Sequence, residues 1–100
     1  MGSNMAECHP VAFRWPLKAK TEHGAVLMHV DPRFTRTAAK ADEFVRIRSG
    51  TDIPFLFGVL YHVFKNGWED KKYLDDRVYG MDKVRDEVLA KWTPDKVQEA

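Results

Sequence analysis

Three short polar stretches carry the residue types that a nucleotide needs. The first runs from Gly2-Ser3-Asn4 through Glu7 and His9 to Pro10, the second from Asp31-Pro32-Arg33 to Thr37, and the third is Ser49-Gly50-Thr51-Asp52. Backbone amides at a helix start suit a diphosphate, and a glycine such as Gly2 allows close approach. Carboxylates such as Asp31 and Asp52 can accept from ribose hydroxyls or from the paired N–H donors of a guanine edge. Arg33 and Arg48 offer charge to phosphate. Asp31 alone reads as a strand-end turn residue; joined to Asp52 and the first stretch it reads as part of a ligand site.

The surrounding pattern places each stretch just before a helix or just after a strand. His9-Pro10 starts a helix, because proline has no amide to waste in the first turn. Val11, Ala12, Trp15 and Ala19 recur near helical spacing, Pro16 is expected to kink or shorten the helix, and Gly24 ends it. Ala25 to Val30 is apolar apart from His29, as in a strand covered on both faces. After Asp31-Pro32-Arg33, Thr35 to Ala41 predicts a short helix or turn, and Phe44 to Arg48 alternates as a second strand. The Ser49–Asp52 cap opens Ile53 to Lys65, which is apolar almost all round and is expected to be buried in a larger body. Asn66-Gly67 stops it.

From Trp68 the chain becomes charged. Glu69–Arg77 and Lys83–Lys91 predict two amphipathic helices with Tyr73, Leu74, Val78, Val84, Val88 and Leu89 facing inward, and Thr93-Pro94 starts a third. The fold class expected is α/β: a partial doubly wound, Rossmann-like parallel sheet with flanking helices and a helical C-terminal part. Such a sheet gathers loops of this kind along one edge, at the carboxyl ends of its strands. We expect one partial domain over 1–100, with 1–67 its nucleotide-binding α/β part and 68–100 a helical extension. The unfinished last helix and the lack of an apolar strand before Gly2 suggest a piece of a larger fold. Met1-Gly2-Ser3-Asn4 is as compatible with a cloning remnant as with a functional loop.

Composition narrows the function classes. The chain has 100 residues, 44% of them apolar, and a formal net charge of +1, which fits a small globular unit and offers no basic footprint for nucleic acid. No apolar run approaches a membrane span. The single Cys8 excludes an internal disulfide; next to His9 it reads as a packed thiol, since adjacent side chains diverge and no further cysteine completes a metal site. His23, His29 and His62 read as structural histidines, and Phe55, Phe57, Tyr61 and Phe64 as core.

Three segments together carry a family resemblance. M-G-S-N-M-A-E-C-H-P-V-A-F-R-W, V-D-P-R-F-T-R-T-A-A-K-A-D and I-R-S-G-T-D-I-P-F-L-F-G-V-L look like consecutive parts of the molybdopterin domain of formate dehydrogenase alpha subunits, in the superfamily that includes dimethyl sulfoxide reductase. Met5 and Cys8 stand where smaller residues are usual, and Pro16 where proline is not. The resemblance implies a molybdopterin guanine dinucleotide cofactor with molybdenum or tungsten. Asn4, Glu7 and His9 would then line the first loop, Asp31, Arg33 and Thr35 would contact ribose and phosphates, and Gly50, Thr51 and Asp52 would meet the guanine end. It also implies a [4Fe–4S] centre and a Cys or selenocysteine metal ligand outside this chain, an iron–sulfur electron-transfer subunit as partner, and a periplasmic location. No catalytic or metal-ligating residue is assigned here, so the chain alone is not expected to oxidise formate. The alternative is an autonomous nucleotide-binding or protein-interaction module without redox activity.

Overall fold

The computed structural model describes all residues from Met1 to Ala100, as two compact units, Met1–Ser49 and Gly50–Ala100. The chain mixes helices with a two-stranded parallel sheet, in keeping with the α/β class.

In the first unit a single helical turn, α1 (Met5–Cys8), leads into α2 (Pro10–His23). Pro10 opens α2 as expected, and Gly24 closes it in the left-handed conformation at φ 64°. The amides of Gly24 and Ala25 both then reach back to the Ala19 carbonyl, the second at 3.1 Å, which satisfies an otherwise orphan carbonyl of the last turn. Pro16 does not end the helix. The covered stripe differs from the expected one: Phe13 is buried, Pro16, Leu17 and Lys20 are half-buried, and Val11 and Trp15 lie in water. Positions 13, 16, 17 and 20 form one helical face, and Lys20 belongs to it because its ammonium is used. That ammonium donates to the Lys40 carbonyl and pairs with Asp42, both at 2.8 Å.

The strands are shorter than the apolar runs suggest. Strand β1 is Met28–Val30 and β2 is Glu43–Val45, paired in parallel with His29 opposite Phe44. Ala25 and Val26 fall outside β1, Arg46 to Arg48 outside β2, and Val26 is exposed. A ladder is only as long as the segment its partner supplies, and here the entry is pinned by Asp42. Its carboxylate accepts from the Leu27 amide at 2.9 Å, and the Leu27 carbonyl accepts from the amides of Asp42 and Glu43. The Gly2 amide donates to the Val30 carbonyl at 2.8 Å, so the first residues are knitted to the end of β1. Between the strands, the only regular structure in the 31–42 connection is a 3-10 turn at Ala38–Lys40.

The second unit is helical: α3 (Asp52–Asn66), α4 (Lys71–Arg77), α5 (Met81–Lys91) and α6 (Pro94–Glu99). Gly67 ends α3 at φ 65°, with the Trp68 amide returned to the Val63 carbonyl at 3.0 Å. Asp70 caps α4 through the Tyr73 amide at 3.0 Å, and Pro94 occupies the first turn of α6.

Helix α5 runs antiparallel to α3. Trp92 meets Phe57 edge-on at 5.8 Å, while Arg85 lies 5.4 Å over the Phe64 ring. Between those two contacts Val88 is fully buried. Helix α6 also packs on α3, where Gly58 faces Val97. Contrary to the sequence reading, no residue of α3 is buried, and Ile53, Leu56 and Val59 are exposed. Of the predicted inward face, Val88 is buried and Leu74 and Val78 half-buried, whereas Tyr73, Val84 and Leu89 are exposed. Two short neighbours cover only one side of a helix that is apolar all round.

Candidate functional site

The first and second polar stretches come together in the first unit through one hydroxyl. Thr37, buried at 4% exposure, donates from Oγ1 to Asn4 Oδ1 at 3.0 Å and accepts from the Ala6 amide at 2.9 Å. The Thr37 amide also points to Asn4 Oδ1, at 3.4 Å. Asn4 in turn donates through Nδ2 to Glu7, and Glu7 pairs with Arg36 at 3.2 Å. Asn4 therefore works inward as a strut, and Glu7 forms an exposed ion pair.

The second loop is fixed from below by a row of buried polar side chains at the end of β1. Asp31, 9% exposed, accepts the Arg33 amide on Oδ1 at 2.8 Å, the bond of an Asx turn. Its other oxygen lies 3.8 Å from His29 Nε2. Thr35 and His29 share a hydrogen bond at 3.1 Å, and Thr35 Oγ1 accepts the Ala38 amide at the same distance. The His29 ring stacks on Phe44. Asp31, Thr35 and His29 thus set the loop's shape, and the side chains left in water at its tip are Arg33, Phe34 and Arg36.

The remaining predicted residues are placed differently. His9 is exposed between α1 and α2. Gly50, Thr51 and Asp52 open the second unit: Gly50 has φ 86°, Thr51 is the N-cap of α3, and Asp52 sits in its first turn, where a carboxylate is favoured by the helix dipole. The structure therefore joins Asn4, Glu7, Asp31, Arg33 and Thr35 in one unit, while the third stretch begins the other. Thr37, His29 and Arg36 escaped the sequence reading as site residues. The T-x-T pattern at 35 and 37, two hydroxyls leading into the 3-10 turn, is the signal that was there to find. No group of three or more His, Cys, Asp or Glu side chains converges on a metal-binding geometry, and no helix is long and apolar enough to cross a membrane.

Comparison with known proteins gives a consistent picture. No family model matches the chain. It is 55% identical to the formate dehydrogenase-O major subunit of Escherichia coli K12 over 75 residues, which is 75% of the chain and 7% of that subunit. It is 53% identical to a formate dehydrogenase alpha subunit of Nitratidesulfovibrio vulgaris over 74% of its length, again 7% of the relative. A formate dehydrogenase alpha subunit of Methanococcus maripaludis matches over 98% of the chain at 34% identity and 14% of its own length. The chain thus spans less than a seventh of the length of each of the first two relatives.

Proposed function

The chain is homologous to a segment of formate dehydrogenase alpha subunits, and on that premise we propose that its first two loops form part of a guanine dinucleotide site. The cofactor is a molybdopterin guanine dinucleotide carrying molybdenum or tungsten, which when bound supplies the two-electron chemistry that takes formate to carbon dioxide and a proton. The observation that carries this reading is the tie between Asn4, Ala6 and Thr37. It sets two loops side by side while leaving the cationic Arg33 and Arg36 in water.

The residues fit the nucleotide end of such a group better than its metal end. Guanidinium groups match phosphate oxygens in a two-pronged geometry, whereas the one cysteine, Cys8, has no companion ligand. In this reading Asn4, Asp31 and Thr35 shape the loops, and Arg33, Arg36 and His9 meet the ligand. Strands β1 and β2 belong to a wider, doubly wound sheet, with 1–67 its nucleotide-binding part and 68–100 a helical extension. The remainder of the catalytic subunit and an iron–sulfur electron-transfer subunit are the partners, and the enzyme is periplasmic.

Titration of the chain with GDP, followed residue by residue through backbone amide NMR shifts, tests the proposal. Shifts are expected at residues 2–9 and 31–37, with affinity falling about tenfold in Arg33→Ala, the size of one charge-assisted contact. Saturating GDP that leaves these amides unmoved would end it.

A further inference from the structure

We propose that α3 is an interaction surface for a second copy of this chain, the two helices pairing antiparallel along one open seam. Asp52, Leu56, Val59, Val63 and Asn66 follow one another at spacings of four, three, four and three. That is the repeat at which a helix keeps one line of side chains facing another helix. Along this line Leu56 and Val59 are 49% and 50% exposed and Val63 is half-buried, while Asp52 and Asn66 close the two ends in water. Ile53 and Leu60, each one position further on, widen the apolar strip along the same flank. The helix already uses its other side. Phe57, Gly58 and Phe64 meet Trp92, Val97 and Arg85, and none of the three lies on the seam. The seam is therefore a second packing face and not the margin of the first.

The charges of α3 say what covers it. No Asp, Glu, Lys or Arg stands between Asp52 and Lys65, so the helix has an apolar middle, an acidic first turn and a basic last turn. A second α3 laid antiparallel brings each acidic end to the other's basic end and sets opposite helix poles side by side. Laid parallel, Asp52 would face Asp52. One patch thus complements itself about a two-fold axis, the usual arrangement of a homodimer. The strip is narrow beside the roughly 800 Å² per partner of a standard interface, so the dimer exchanges rapidly with monomer.

Intermolecular paramagnetic broadening in NMR locates the contact. A nitroxide is attached at Lys65→Cys, just off the seam, and this copy is mixed with an isotope-labelled one, both in a Cys8→Ser background. Broadening of the labelled copy is expected to be strongest at the amides of residues 50–53 and to fade towards residue 65. In sedimentation, Val59→Asp is expected to be monomeric at concentrations where the parent is largely dimeric, with helix content unchanged by circular dichroism. Broadening strongest at residues 63–66 overturns the antiparallel arrangement, and association of Val59→Asp equal to the parent's removes the seam from the contact. A parent chain that stays monomeric overturns the dimer and leaves the seam to a partner other than a second copy.

Discussion

Thr37 concentrates in one hydroxyl the joint between two loops that are distant in sequence. Donating to Asn4 and accepting from Ala6, it leaves no polar group of the joint unpaired, and a buried group without a partner costs about 1–3 kcal/mol. Thr37→Val keeps the volume and removes both bonds, so urea unfolding should show a loss of about that size. Asn4→Ala in the same background should add little, because the two changes break one network; full additivity would show that the joint is not shared. Asp42 supplies a pH signature. The Leu27 amide first, then Lys20, hold its carboxyl below the ordinary value of 3.8. The folded state therefore takes up its proton later than the unfolded chain. The contribution is complete above pH 3.8 and is lost as pH falls through the lower folded value. Asp42→Asn should flatten the acid limb of the stability curve in that window and leave the shape near neutrality unaltered. The sequence displayed Asp31 as a ligand group because a carboxylate after a strand suits both a ribose and an Asx turn. Thr37 was illegible as a joint because its partner lies 33 positions away.

At the level of elements, chain punctuation was legible and packing was not. Pro10, Gly24, Gly67 and Thr93-Pro94 mark ends through the local rules of amide supply and φ, so the helix limits fall near where the residues place them. Which face is covered depends on neighbours, and there Phe13 replaced Trp15 as the buried residue of α2. Glu69 shows the same limit. It stands in a run of charges that reads as solvated, yet its side chain is 6% exposed and bonds Arg85 of α5 at 2.8 Å, with the second carboxylate oxygen lacking a partner. Removing a cation from a buried carboxylate costs several kcal/mol. Arg85→Leu should therefore destabilise by about 3 kcal/mol, towards the lower end because Arg85 is itself partly solvated. Recovery in the Glu69→Gln background would confirm the pairing, and no loss in the single variant would refute it. Gly58 records how closely α6 approaches α3: a Cβ there would meet Val97 Cγ1 at 2.9 Å. Alanine gains about 1 kcal/mol of helix propensity over glycine, but the overlap forces α6 outward. Gly58→Ala should lower hydrogen-exchange protection in α6, and the same change with Val97→Ala should be neutral or stabilising.

At the scale of the whole molecule, what governs solution behaviour is apolar surface that the second unit leaves uncovered. Ile53, Leu56 and Val59 recur every three residues along α3, with about half or more of each side chain in water. Burying the exposed half of each would gain roughly 1 kcal/mol, about half of what complete burial of such a side chain is worth. A contiguous stripe of this kind drives association in a way that scattered exposed residues do not. The apolar pattern of α3 was plain in the sequence; that α5 and α6 cover only the face carrying Phe57, Gly58 and Phe64 required the fold. The purified chain should therefore bind ANS strongly and sediment with a mass that rises with concentration. Leu56→Lys, at the centre of the stripe, breaks its continuity without touching the covered face, so it should weaken both effects with helix content maintained by circular dichroism. Equal ANS binding and association in this variant would place the sticky surface elsewhere, and a concentration-independent monomer in the parent chain would refute the stripe as an association surface.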